Sequence, residues 1–179
     1  MKGTRIGRNW RQRLEDLLAC QIDYREKTVL DAGCNVGILA YEIAKLGPSF
    51  IHAIDGSRPE LRAARLIFQS VETPNRVDLV NLADDAGLRA VLRSHYDIVQ
   101  LLAVYRYVEL SFGDIAAWQM LVTLAEHCGE RFIVADRLAH FPKITETLLA
   151  SGFMVERETV SRARSYHVVF RRQHGFVST

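Results

Sequence analysis

Apolar residues change their period along this chain in a regular order. Over residues 10–24, Trp10, Leu14, Leu17, Leu18 and Ile22 recur at helical spacing and predict an amphipathic helix. Residues 28–32 form a short apolar run that predicts a strand, and Gly33-Cys34-Asn35-Val36-Gly37 turns the chain. Helical spacing returns over 38–46 until Gly47-Pro48 stops it, and Ile51-His52-Ala53-Ile54-Asp55 reads as a second strand ending on an acid. That is one βαβ unit. In such a unit a glycine turn lets the backbone approach a ligand, and an acid at the tip of the second strand can accept both hydroxyls of a ribose.

The alternation continues to the C-terminal residues. Ser57 and Glu60 predict a capping box around Pro59, with Leu61, Ala64, Phe68 and Val71 at helical spacing up to the Pro74-Asn75 turn. A strand over 77–82 follows, then a short helix opened by Asp84-Asp85, and a nearly continuous apolar strand over 96–103. Residues 114–127 predict a helix with Ile115, Trp118, Val122 and Ala125 inward, 131–135 a strand, and 142–151 a helix closed by Gly152. The last two strands, 153–160 and 166–172, are joined by about five residues, too few for a crossover helix, and are expected to pair antiparallel. With no linker or repeat, the expectation is a single domain over 1–179: a core over 27–172, preceded by a basic arm and helix over 1–26 that can serve as a lid over substrate.

Composition narrows the class. A chain of 179 residues, 49% hydrophobic, can bury about 70% of its unfolded surface in one core. Cys20, Cys34 and Cys128 form no pair at metal-ligand spacing, and their odd number argues against a disulfide framework, so a reduced, cytoplasmic protein is expected. No run of eighteen apolar residues occurs and the N-terminal residues are basic rather than apolar, so neither secretion nor a membrane span is expected. The net charge is only +2, below the strongly basic balance of a nucleic-acid domain. Charge is nevertheless uneven: Lys2, Arg5, Arg8, Arg11 and Arg13 precede the first acid, Glu15, with Trp10 among them, and Arg162 and Arg164 lie between the last two strands. Such an arm suits a phosphate-rich partner or an ordered lid over a small anion.

The turn itself discriminates between cofactors. A dinucleotide fingerprint places glycines as G-x-G-x-x-G, but here the last place is Ile38 and the middle one Asn35, a residue that tolerates left-handed backbone. Asp31, just before the turn, would repel a pyrophosphate and suits a ligand carrying an ammonium and a sulfonium. Asp31, Gly33, Asn35 and Gly37 together resemble the first motif of the class I S-adenosylmethionine-dependent methyltransferases, acid-x-Gly-x-Gly-x-Gly, with Asn35 the one departure. The terminal hairpin fits the same family, and the resemblance covers roughly residues 27–172.

The resemblance implies an α/β fold of three αβα layers around a Rossmann-like seven-stranded sheet, order 3-2-1-4-5-7-6, last strand antiparallel. It implies S-adenosyl-L-methionine as cofactor, with Gly33, Cys34, Asn35 and Gly37 under its methionine part and Asp31 near its ammonium. Asp55 would hold the ribose, Gly56 and Ser57 would pass beside the adenine, and Asp84 or Asp85 would reach the adenine amino group. Either of the last two acids can equally be a helix cap. Leu101, Leu102 and Ala103 would wall the sulfur.

A sulfonium is already an activated methyl donor, so catalysis asks mainly for alignment, plus proton removal when the acceptor is a hydroxyl. The segment after the fourth strand, Val104 to Ser111, supplies candidates: Tyr105 and Arg106 for catalysis, Tyr107 and Glu109 for substrate. His140, after the fifth strand, is a third catalytic candidate, and Arg8, Trp10 and Arg13 of the arm are further substrate candidates. An arginine between two tyrosines can clamp a planar anion, although tyrosines at strand ends also commonly pack. The apolar end of the fourth strand predicts no metal site. It also lacks the Pro-Pro-aromatic motif of amino-methylating DNA enzymes, and Cys34, inside the turn, reads as a small packing residue rather than a nucleophile. The Gly33-Cys34-Asn35 run with the Asp97 to Ser111 segment also resembles enzymes that methylate the 5′-phosphate of small RNAs, which carry a Lys-Trp pair near the Arg106-Tyr107 place. The expectation is a metal-independent methyltransferase acting on O or N of a small-molecule acceptor, as monomer or homodimer. The alternatives are an RNA or RNA-phosphate methyltransferase and a catalytically silent subunit of the same fold.

Overall fold

The computed structural model describes residues 10–160 and 166–173. One seven-stranded sheet runs through them in the order β3-β2-β1-β4-β5-β7-β6. Its strands are β1 (Thr28–Ala32), β2 (Phe50–Asp55), β3 (Asn75–Leu79), β4 (Tyr96–Leu102), β5 (Cys128–Asp136), β6 (Phe153–Val160) and β7 (Tyr166–Arg172). Neighbours from β3 to β5 pair parallel, and β7 lies antiparallel between β5 and β6. The expected strand order and the antiparallel β7 are therefore present.

Helices cover both faces. Leu17 of α1 (Trp10–Ala19), Ala40 and Ile43 of α2 (Ile38–Ala44) and Leu61, Ala64 and Phe68 of α3 (Arg58–Phe68) pack on Val29, Ile51, Ala53, Ile98 and Ile133. The other face takes Leu88 of α4 (Asp85–Val91), Tyr105 and Val108 of α5 (Tyr105–Phe112), Met120, Leu121 and Leu124 of α6 (Asp114–Glu126) and Ile144 and Leu148 of α7 (Phe141–Ala150). Alternate strand residues supply the two cores, as the pleat requires, so the central strands β1, β2 and β4 are largely apolar, while the edge strand β3 is not.

Several boundaries differ from the sequence pattern for identifiable reasons. The first helix stops at Ala19 rather than 24, because Gln21 takes φ 53 and breaks the ladder. β3 covers 75–79 instead of 77–82: it is an edge strand whose length is set by its pairing, Ile51 with Asn75 through Asp55 with Leu79. β5 begins at Cys128, three residues early, because Tyr96 pairs with Cys128 before an irregularity brings Ile98 opposite Arg131. Residues after β4, read as an active-site loop, form α5, which Gly113 at φ 91 separates from α6. The α6 face is also rotated: Ile115 is 81% and Trp118 49% exposed, while Ala117, Met120, Leu121 and Leu124 are buried. The capping box is altered too. The Ser57 hydroxyl donates to the Glu60 carboxylate, and the Ser57 N–H, which the glutamate would accept in a standard box, donates instead to Asp55 Oδ1 at 2.8 Å.

Candidate cofactor and acceptor cleft

The carboxyl ends of β1, β2 and β4 meet at a cleft of about 510 Å³, at the point where strand order reverses between β1 and β4. Its floor is the β1–α2 turn, held in three left-handed steps, Gly33 at φ 79, Asn35 at φ 55 and Gly37 at φ 77. Asparagine is the non-glycine residue best able to take the middle step, so the departure from three glycines leaves the turn intact. Gly33 and Cys34 donate their N–H groups to Ile54 O at 2.8 and 3.0 Å, which ties the turn to β2. Asp55 completes the tie: its Oδ2 accepts from Asn35 N–H at 2.8 Å while Oδ1 accepts from Ser57 N–H. One carboxylate therefore braces both loops that border the cleft before any ligand arrives.

Gly33 has no room for a side chain, since an added Cβ would overlap Val104, which closes over the turn from the end of β4. Gly37 is used differently: a Cβ there would press on Ala64 and Phe68 at 3.1 Å, so its smallness serves helix packing. Asp31 is 3% exposed, and burial together with the charge of Asp55 raises its carboxyl to about 7. A buried acid without a basic partner calls for a cation. Cys34 lines the same floor; burial pushes its thiol up, so it is a protonated packing residue. The volume, the backbone cradle, the buried acid and the acid at the β2 tip fit a nucleoside ligand with an ammonium group.

No family model matches the chain. It is 29% identical over 133 residues to the ribosomal protein L11 methyltransferase of Exiguobacterium sp., a match covering 74% of this chain and 39% of that protein. It is 36% identical over 78 residues to a ubiquinone biosynthesis O-methyltransferase of Neisseria meningitidis, covering 36% of this chain and 33% of that protein. The chain thus spans between 33% and 39% of the length of these curated relatives. Among solved structures, magnesium protoporphyrin IX methyltransferase of Synechocystis with bound S-adenosylmethionine superposes with a TM-score of 0.74 at 22% identity, over 90% of this chain and 79% of that one. The chain has the fold of the class I S-adenosylmethionine-dependent methyltransferases.

In this methyltransferase fold the sequence-derived residues divide sharply. Asp31, Gly33, Cys34, Asn35, Asp55, Gly56 and Leu102 line the cleft, as do Trp10, Arg13 and Tyr107. Leu101, the neighbour of Leu102, points to the opposite face and is fully buried in the core. Gly37 and Ser57 support the floor from behind, and Arg8 lies outside the described residues. Asp84 caps α4 by accepting from Gly87 N–H at 3.1 Å. Asp85 is bound by Thr123 and Arg89, whose hydrogen bonds hold its carboxyl below the usual range. Neither acid lines the cleft; Leu82 does.

The catalytic candidates after β4 and β5 are placed behind the cleft wall. Tyr105 is 2% exposed and packs its ring 6.1 Å from that of His140. His140 Nδ1 lies 2.9 Å from Glu109 Oε2, and Lys143 bridges Glu109 and Asp114 at 3.1 and 2.7 Å. Arg106 donates its backbone N–H to Asp136, which also accepts from Arg137 N–H at 2.7 Å. These contacts fasten α5 to the end of β5 and to α7. Tyr105, Arg106, Glu109 and His140 are joined as a wall and do not line the cleft. Ordinary loop assumptions hid this, because a helical α5 turns every third or fourth side chain inward.

Val36 of the predicted turn and Ala103 at the end of the fourth strand also line the cleft, whereas four lining residues escaped the sequence pattern: Ile38, Leu39, Leu82 and Val104. Being aliphatic, they carried no chemical signal. Ala103 holds φ 62, a left-handed backbone without glycine, at the tip of β4 where its N–H donates to Ala135 O. Strain of that kind concentrates at ligand clefts, but side-chain type does not announce it. Among the described residues no group of three or more His, Cys, Asp or Glu is placed to hold a metal ion, and no helix is long and apolar enough to cross a membrane.

Proposed function

We propose that this chain is an S-adenosylmethionine-dependent methyltransferase that transfers a methyl group to O or N of a small-molecule acceptor without a metal ion. The single observation that carries the reading is the floor: one buried, raised carboxyl at Asp31 and one bracing carboxylate at Asp55, on either side of a turn with no space for a side chain at Gly33. Asp31 would take the ligand's ammonium, the turn its amino-acid stem, Asp55 and Gly56 its ribose, and Leu82 and Leu102 the base and the sulfur region. When bound, the cofactor supplies a methyl group already activated by a sulfonium. The protein's task is then to fix the acceptor in line and keep water away. The acid-free apolar end of β4 supports metal-independent transfer. The intact Asn35 turn supports the catalytic reading over a silent subunit. Three free, buried cysteines suit a reduced, cytoplasmic setting.

The acceptor side would be covered by α1, in the role of a lid. Its Trp10 and Arg13 face the cleft together with Tyr107 of α5. A cleft of about 510 Å³ supports a small acceptor rather than a macromolecule. Calorimetry with S-adenosylmethionine and S-adenosylhomocysteine tests the reading, with affinity in the micromolar range expected. No heat at millimolar ligand would overturn it.

A further inference from the structure

Beyond the cofactor floor, the outer cleft is lined by Trp10 and Arg13 of α1, Leu39 of α2, and Val104 and Tyr107 from the β4–α5 junction. Its chemistry is one-sided. Two aromatic rings and two aliphatic side chains surround one guanidinium, and Arg13 has no ion-pair partner among the described residues. Both rings already carry a cation: the Arg11 guanidinium is 5.5 Å from the Trp10 ring centroid and that of Arg106 is 4.7 Å from the Tyr107 centroid. One guanidinium therefore lines the cleft and two more lie against the rings that line it. A cation against one face of a ring opposes a second cation on the other and favours an electron-rich guest. Glu109, the nearby acid that could neutralise this charge, is already engaged by His140 and Lys143. The cleft's acids, Asp31 and Asp55, sit at the floor.

The same lining is poor in bases. Among the described residues no histidine or lysine lines the cleft, and the Tyr107 hydroxyl accepts from Arg106 Nη2 at 3.1 Å. His140 is turned to Glu109 behind the wall. Among the described residues no side chain on the acceptor side is free to take a proton from an incoming hydroxyl.

We infer that the acceptor is a planar aromatic anion, a phenolate or aromatic carboxylate, seated between Trp10 and Tyr107 with its charge on Arg13 and methylated in the ionised form it already has in solution. This rests on the methyltransferase reading above. An oxygen lone pair of the anion forms the O–CH₃ bond as the S–CH₃ bond breaks, and the electron pair of that bond stays on sulfur, which leaves as a neutral thioether. The anionic and sulfonium charges cancel, so no proton has to move within the protein. Arg13 is then a specificity-determining residue, holding the reactive ionised form of the acceptor where a neutral phenol would bind weakly.

The chain has two tryptophans, so Trp118→Phe leaves Trp10 as the sole tryptophan and its fluorescence reports the acceptor site. With S-adenosylhomocysteine present, this variant is titrated with a panel of hydroxybenzoates and naphthoates and with benzylamines and benzamides of matching size. Aromatic anions are expected to quench Trp10 and to bind at least tenfold more tightly than the matching cations, and Arg13→Gln should remove that preference while sparing the neutral amides. Equal binding of cations, an Arg13→Gln variant that keeps the preference, or no binding of any aromatic anion at millimolar concentration would overturn the inference. For any phenol that proves to be methylated, the acidic limb of the pH–rate profile should move with the phenol's own pKa across a substituent series. A limb fixed across the series would reveal a protein base and overturn it as well. Calorimetry separates the two levels: without S-adenosylhomocysteine binding the methyltransferase reading itself fails, whereas cofactor binding without aromatic-anion binding defeats only this inference.

Discussion

The β1–α2 turn and the α5–α6 segment lie on opposite sides of one cleft, yet they relate to their sequences in opposite ways. In the turn, conformation is dictated residue by residue. Gly33, Asn35 and Gly37 take the three left-handed steps that few other residues tolerate, and Asp55 is tied to them through backbone N–H groups. In α5–α6 the conformation is ordinary helix, and what matters is which way each side chain faces. That is decided by packing on β4 and β5, not by local preference. The expected inward pair Ile115 and Trp118 faces out, and the expected site residue Tyr105 faces in. Local backbone chemistry is legible from a single chain, whereas facing is a tertiary property.

The largest effect should come from filling the turn. Gly33→Ala combines an unfavourable left-handed alanine with overlap on Val104, together about 3 kcal/mol, so affinity for S-adenosylhomocysteine should fall about a hundredfold by calorimetry. Near-unchanged affinity would mean that Val104 yields and that the floor is softer than its geometry. Asp55→Ala comes next. It removes two backbone hydrogen bonds at 2.8 Å as well as the ribose acceptor, and a loss of more than tenfold is expected, with Asp55→Asn intermediate because the amide keeps one acceptor oxygen. If Asp55→Ala binds as well as the wild type, the ribose lies elsewhere.

How much could be read beforehand follows the same division. The strand order, the antiparallel β7 and the floor residues from Asp31 to Gly56 came from short motifs, turn chemistry and a hairpin loop too short to cross over. The wall did not. Leu82 and Val104 are aliphatic and carry no motif, and Asp84 and Asp85 had two roles open to an acid at a helix start, of which capping and ion pairing are the ones they fill in this structure. Arg106, expected between two tyrosines at the site, lies behind the wall, and the arginine that lines the cleft together with aromatic rings is Arg13, with Trp10 and Tyr107.

A pH prediction sharpens the floor. Asp31 has a folded value of about 7, against an unfolded value near 4. Between those limits the folded ligand-free state binds a proton that the unfolded state does not, so this group's contribution to stability falls as pH rises from about 4 to about 7 and stays low above. Asp31→Asn should therefore raise the melting temperature relative to wild type at pH 8, and the difference should shrink toward zero as the pH approaches 4. A ligand ammonium needs the ionised form, so cofactor affinity of the wild type should weaken below about pH 7, by up to about tenfold per unit. A melting difference that does not change with pH would show that Asp31 is ionised in the free protein.

The smallest effect is expected for Ile115→Ser on the other side of the cleft, and set against Leu121→Ala it tests the rotated face of α6. Ile115 is 81% exposed and Leu121 fully buried, although both are large aliphatic residues on one helix. Replacing an exposed side chain that touches little changes stability within about 0.5 kcal/mol, while cutting a buried leucine to alanine costs about 2–5 kcal/mol through lost burial and the cavity left behind. Ile115→Ser should therefore melt with the wild type, and Leu121→Ala should unfold at clearly lower denaturant with the same slope. If the two costs were reversed, α6 would pack with Ile115 and Trp118 inward after all. The wall would then rotate with it, since Lys143 of α7 joins Asp114 at the start of α6 to Glu109 of α5.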